Sequence, residues 1–259
     1  VARQRLSLWV WPVALVIVGV LALLHNYLIL DFNVLQLWPL VLVLLGLQAL
    51  LQGDVGFSWA GQHFGITRGS VEAASLRADG GELDVHIHAL QREGRLIAGQ
   101  YTARSRPHLQ VDGNHAALTM LRSRTWFFSL ANWDFGLAKD VPWELLVSTH
   151  LGEIEIDLCG LIVGQARITT GFGDIHLIGP DSPAGPIVVR STLGDIYLTV
   201  PDGVEAAVTV VGGPMLDVRV QDERWQPRGE RRYTTPGYDG AIEPLEFTVS
   251  GTFGSLLLF

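Results

Sequence analysis

"HLGEIEIDL", residues 150–158, is echoed by "GFGDIHLIG" at 171–179 and "TLGDIYLTV" at 192–200, so one phrase returns at a spacing of 21 residues. Within it Ile154, Ile156 and Leu158 alternate with Glu153, Glu155 and Asp157, a period of two that puts the aliphatic side chains on one face of a β-strand. The echoes keep the phase: Ile175 and Leu177 follow Gly173-Asp174, and Ile196 and Leu198 follow Gly194-Asp195. Looser copies open the region as "GGELDVHIH" at 80–88, continue it as "PMLDVRV" at 214–220, and close it as "GTFGSLLLF" at 251–259. Each phrase follows a second short alternating run, such as "ELLVST", "ARITT", "IVVRST" or "FTVSG". One unit is therefore strand, glycine-containing turn, strand and link.

A unit of this size with two short strands cannot bury its own apolar face, whereas units stacked in register share one core. The expected fold of residues 71–259 is an all-β repeat domain, a β-solenoid-like stack of about six coils, with insertions at 121–140 and 221–243. Stacking sets like residues about 4.8 Å apart in neighbouring strands. Gly152, Gly173 and Gly194 then form a column at one corner, where glycine alone turns the chain or admits close backbone without steric cost. "PMLDVRV" is expected to be the next coil after "TLGDIYLTV".

Toward the N-terminus the composition changes. Residues 6–52 contain one charged residue, Asp31, and "WPVALVIVGVLALL" at 11–24 aligns without gaps on "WPLVLVLLGLQALL" at 38–51. Each copy with its flanks is about as long as a hydrocarbon core of about 30 Å requires of a helix. Pro12 and Pro39 suit a first turn, and Trp9, Trp11 and Trp38 suit the interface. Residues 1–52 are thus expected to form a two-helix transmembrane hairpin, with 53–70 a juxtamembrane linker. Gly19, Gly46 and Ala49 offer the small side chains through which membrane helices pack. A cleaved signal peptide would lead to a small-residue cleavage site, and "HNYLIL" is not one. Arg3 and Arg5 precede the first helix and the connecting loop has no Lys or Arg, so the positive-inside rule puts both termini of the hairpin in the cytoplasm. The β-domain would follow them there, the opposite orientation being the alternative.

With these stretches in view, "GEIEIDLCGLIVGQARITTGFGDIHL" followed by "LGDIYLTVPDGVEAAV" resembles the C-terminal domain of LiaF-type cell-envelope stress proteins and the related toast-rack domains. "LLHNYLILDFNVLQLWPLVLVLLGLQALL" is similar to the LiaI-LiaF-like membrane hairpin that accompanies them. The resemblance implies a two-pass protein of the bacterial inner (cytoplasmic) membrane that senses or regulates envelope stress through partner proteins, without catalysis.

Other constellations bear on that expectation. His86 and His88 share one face of a strand beside Asp84, a spacing that can bind zinc; the alternative is a solvated face, since Leu83, Val85 and Ile87 take the other. The acidic column Glu153, Asp174 and Asp195 would attract a cation or, as acids beside glycine usually do, bond its own turn. His25 at the end of the first membrane helix is a haem or chlorophyll ligand only if it is not simply interfacial. No cofactor or metal is therefore expected. Cys159 reads as packing on a strand. There is no P-loop, dinucleotide fingerprint or nucleophile elbow, and a net charge of −8 excludes broad nucleic-acid binding.

Two stretches point to contacts. In "LRSRTWFFSLANWDFGLAKD", Arg122 and Arg124 stand with Trp126, Phe127, Phe128, Trp133 and Phe135, which suits an anionic bilayer surface, a partner's groove, or a cap over the end of the stack. In "SLLLF", Leu256 and Leu258 would face the core, leaving Leu257 and Phe259 outward on a terminal rung open to self-association or to another protein. Two functions compete: a membrane-anchored regulatory or scaffold protein of the cell envelope working through its β-stack, and an accessory structural subunit of a large membrane complex.

Overall fold

A computed structural model describes residues 62–259 except 92, 102–104, 123–131, 183 and 214. The expected hairpin, with His25 and its packing residues Gly19, Gly46 and Ala49, lies outside the described residues, as do Arg124, Trp126, Phe127 and Phe128. The described residues belong to one compact unit, Ala60–Phe259.

The described residues form β1 (Gln62–Thr67), β2 (Ala73–Asp79), β3 (Asp84–Ala89), β4 (Arg95–Tyr101), β5 (His108–Asp112), β6 (His115–Leu121), β7 (Asn132–Leu137), β8 (Pro142–Leu151), β9 (Ile154–Asp157), β10 (Ile162–Phe172), β11 (Ile175–Ile178), β12 (Ile187–Leu193), β13 (Ile196–Thr199), β14 (Ala206–Val210), β15 (Leu216–Val220), β16 (Gln226–Pro227), β17 (Arg232–Thr234) and β18 (Leu245–Leu258), with period-two burial clearest in β6, β8, β9, β11 and β13. β1 falls within the stretch expected to be linker, so Gln62–Thr67 are strand where a linker was expected.

Each rung places one strand in sheet B, turns a corner, and places the next in sheet A. The parallel ladder of sheet B runs β6, β2, β8, β10, β12, β18, β14. That of sheet A runs β7, β3, β9, β11, β13, β18, β15. Among the described residues the stack therefore has seven rungs, where the sequence suggested about six. The core consists of straight columns along these ladders. Trp133, Val85, Ile154, Ile175, Ile196, Leu256 and Val218 are successive partners in sheet A. Leu118, Leu76, Leu145, Ala166, Ile187, Phe247 and Val208 do the same in sheet B. All of these are buried except Val218, which packs against the core from a half-buried position.

Chain order and spatial order differ at both ends. β2/β3 lies inside β6/β7, and β18 lies between β12/β13 and β14/β15. "PMLDVRV" is thus not the neighbour of "TLGDIYLTV"; "GTFGSLLLF" is, with Leu256 opposite Ile196 and Leu216 opposite Gly254. The expectation of a terminal, unpaired last rung is overturned for the same reason. Leu256 and Leu258 are fully buried, Leu257 is paired with Tyr197 on one side and Arg219 on the other, and the Phe259 N–H donates to the Leu198 carbonyl at 2.9 Å.

Antiparallel strands close both ends of sheet B and the β7 end of sheet A. β4 runs antiparallel to β7 and carries β1, β5 covers β6, and β17 covers β14 and carries β16. Trp133 and Phe135, expected at a membrane or partner surface, are fully buried in β7. "NWDFGL" is itself a period-two strand, and its two aromatic rings stand first in the two core columns of sheet A, with the Trp133 indole N–H donating to Ser105 Oγ at 3.0 Å.

Candidate interaction surface along the glycine corner

The corner is built from four parallel rows. At its centre Gly152, Gly173, Gly194 and, from the interleaved last strand, Gly254 have φ of 154°, 135°, 144° and 133°, a region that side-chain-bearing residues avoid. A Cβ on Gly173 would overlap the carbonyl oxygen of Gly152, one on Gly194 that of Gly173, and one on Gly254 that of Gly194. Each rung thus turns against the backbone of the one before it.

Inside the corner runs a buried hydroxyl row. Thr149 Oγ1 donates to Thr170 Oγ1 at 3.1 Å, Thr170 to the Gly152 carbonyl at 3.3 Å, and Ser191 to the Gly194 carbonyl at 3.5 Å. Polar side chains are tolerated there because they satisfy carbonyls that the turn removes from the ladder.

The acid row follows the glycines. Asp84 Oδ1 accepts the Glu153 N–H at 2.8 Å, Asp174 Oδ1 that of Asp195 at 2.8 Å, and Asp195 Oδ1 that of Ser255 at 2.7 Å. These three carboxylates tie one rung to the backbone of the next, where the sequence suggested bonds within a single turn, whereas the Glu153 carboxylate meets His176. Burial and the nearby charges of Asp174, Asp195 and Glu153 push the Tyr197 phenol above its ordinary value. The histidines of this face are paired with carboxylates: His86 Nδ1 lies 2.8 Å from Glu155, His88 Nδ1 3.2 Å from Asp134, and His176 Nε2 3.1 Å from Glu153. His176 also stacks on Tyr197 with centroids 4.2 Å apart. Among the described residues no three His, Cys, Asp or Glu side chains are grouped to hold a metal ion.

Before each glycine stands an apolar residue. Leu151, Phe172, Leu193 and Phe253 are successive ladder partners, and the last three are 48%, 48% and 47% exposed. The sequence carried this signal in "LG", "FG", "LG" and "FG", but a reading of which residues enter the core passes over those that do not. Elsewhere among the described residues the surface offers little chemistry. Cys159 lies in the turn after β9 rather than on a strand, with Sγ 3.6 Å from the Gly179 carbonyl. Its thiol is pushed up to about 11, first by burial and then by the hydrogen bond and charge of Asp157. A shallow depression lined by Asp181, Ser182, Glu205, Glu243 and Leu245 contains no nucleophile and base in contact, and Ser182 donates instead to the Leu161 carbonyl. Arg122 is half-buried at the end of β6.

Residues 9–50 match the family described as the LiaI-LiaF-like transmembrane region, so the chain carries a membrane-anchoring segment at its N-terminal end. No curated protein matches the chain in sequence. A candidate cell adhesion protein from Clostridium sporogenes ATCC 15579, solved by crystallography, is similar with a TM-score of 0.64 at 14% identity, over 76% of this chain and 97% of that one. A candidate adhesin from Bacteroides fragilis NCTC 9343 gives a TM-score of 0.31 at 11% identity, over 78% and 98%. The Clostridium structure shares the β-rich fold of this domain.

Proposed function

We propose that this chain is a membrane-anchored, non-enzymatic scaffold or regulator of the bacterial cell envelope that binds a partner protein along its apolar corner ridge. The observation carrying this reading is the in-register row Phe172, Leu193 and Phe253, exposed and continued by the half-buried Leu151, at a corner whose glycines cannot be replaced without overlap. A rigid row of exposed aromatic and aliphatic side chains is the kind of patch that marks a contact site. The likeness to a candidate cell adhesion protein is compatible with a contact role, and the transmembrane match supports an anchored one. An envelope-stress role and a cytoplasmic β-domain belong to the same proposal.

The test is in-cell photocrosslinking in the full chain. A photoreactive residue at Thr192, exposed beside the ridge, is expected to give a discrete heavier product that Phe172→Ser with Phe253→Ser abolishes while the protein stays folded. The same residue at Arg190 should give none. Absence of any product at Thr192 removes the ridge as a contact site. Orientation is tested separately: a cysteine at Asn33 should react with an impermeant thiol reagent outside intact cells, and one at Ser182 should not.

A further inference from the structure

β15 pairs with β18 on one side and, among the described residues, with no strand on the other. Its neighbour in sheet B, β14, is covered by β17. The open side can be read residue by residue. Gln221 donates its N–H to the Leu258 carbonyl at 2.9 Å, so by strand alternation Asp217 and Arg219 share that direction, and the backbone groups of Leu216, Val218 and Val220 point to the free edge. Leu216 closes a long turn contact of 3.4 Å onto the Gly213 carbonyl. Val220 is 40% exposed and Met215 61%.

The strand reads Leu216-Asp217-Val218-Arg219-Val220, which complements its own reverse. If a second β15 lies antiparallel with Val218 opposite Val218, then Asp217 falls opposite Arg219 and Leu216 opposite Val220. This register also makes Val218 and its flanking partners the hydrogen-bonded pairs, as the free edge requires. Sliding by one step of two residues puts Asp217 opposite Asp217 or Arg219 opposite Arg219, so like charges disfavour the alternatives. Asp217 and Arg219 already stand together on the outer face, 2.9 Å apart and well exposed. Among the outer strands of the described residues, β15 alone carries both a carboxylate and a guanidinium.

We propose that two copies of this chain associate through β15, about a two-fold axis at Val218, so that sheet A runs continuously from one stack into the next. Such an isologous pairing satisfies an edge that otherwise presents a template for any passing strand. It uses a surface separate from the corner ridge, and either can fail without the other.

The experiment uses the full chain, extracted in mild detergent and bearing two different affinity tags. Wild-type copies should co-purify. Asp217→Arg alone sets guanidinium against guanidinium at both cross-strand positions, and Arg219→Asp alone sets carboxylate against carboxylate, so each should lose self-pairing by about tenfold or more. Mixing the two variants restores attraction, because every cross-strand position then faces a guanidinium with a carboxylate, and they should co-purify with each other as wild type does. Neither variant retains the ion pair within its own strand, so this recovery separates pairing between copies from a local role. Wild-type copies that fail to co-purify, or single variants that self-pair as well as wild type, overturn the proposal. So does loss, in the same variants, of a different polypeptide bound stoichiometrically to a monomeric wild type.

Discussion

From β8 to β13 the chain advances one rung every 21 residues, and neighbours in space are neighbours in sequence. Beyond those limits, at either end, one strand pair sits a place further in than its position in the chain suggests, and antiparallel strands close what is left except the edge of β15. The difference shows what a repeat specifies. Alternating apolar residues and a corner glycine make a strand fit the ladder, but any strand so equipped fits any slot. Order is settled by the links. Six residues join β13 to β14, whereas the long segment after β15 lets the chain pass back and insert β18 between them. The strands that break the repeat, β4, β5, β16 and β17, are the ones that cover both ends of sheet B and the β7 end of sheet A.

The comparison breaks most severely if the interleaved strand is shortened. Deleting residues 255–259 removes Leu256 and Leu258, both fully buried between the β13 and β15 rungs. Emptying a single buried leucine site costs about 2–5 kcal/mol, and two of them approach the whole stability of an ordinary domain, about 5–15 kcal/mol. Cooperative urea unfolding followed by tryptophan fluorescence should be lost or shifted to very low denaturant. A truncated chain with the wild-type midpoint would show that β18 does not occupy the interior slot.

Next in size is the middle of the stack itself. Gly173→Val forces a branched side chain onto φ of 135° and into the Gly152 carbonyl, for an expected loss of about 2–4 kcal/mol. Gly203 is also left-handed, at φ 79°, but nothing lies within reach of a Cβ there. Gly203→Ala should therefore cost only the conformational term, about 1 kcal/mol. Equal midpoints for the two variants would mean that rung-to-rung contact contributes nothing at the corner.

Legibility follows the same division. The β8 to β13 rungs, their inward faces and the corner glycines could be read from period and spacing, because each residue there repeats the role of its counterpart 21 residues away. "NWDFGL" could not be read as readily, because its aromatic side chains resemble a contact patch and its partners, β3 and β4, lie far off in sequence. The place of β18 was hidden altogether, since Leu256 satisfies the column beside Ile196 or at an end equally well. The corner ridge was visible but unread, and the β15 edge depends on strand order, which no local pattern carries.

A smaller effect tests the hydroxyl row, which belongs to the middle of the stack and stops where β18 enters, since Gly251 is the partner of Ser191. Thr170→Val keeps the shape and removes the donor to the Gly152 carbonyl and the acceptor for Thr149. A loss of about 1–2 kcal/mol is expected, and a neutral result would make the row simple packing.

The smallest effect concerns Cys159, in the turn that joins two regular rungs. Its N–H is held by Asp157 at 2.9 Å, and the adjacent Gly160 N–H by Asp181 of the following rung at 3.0 Å. Burial comes first among the causes that raise the thiol from 9.0 to about 11, and Asp157 adds both a hydrogen bond and a negative charge. Only the thiolate is reactive, so below pH 9 the folded protein should alkylate about a hundredfold more slowly than an ordinary thiol of pKa 9. Because the folded state holds this proton more tightly than the unfolded chain, the associated stability is complete below about pH 9 and declines as pH rises toward about 11. Asp157→Asn removes the charge but leaves the burial, so alkylation at about pH 8 should quicken by several-fold without reaching the rate of the urea-unfolded chain. A rate equal to the unfolded one would mean that the turn has opened, and that the link between regular rungs rests on a single carboxylate.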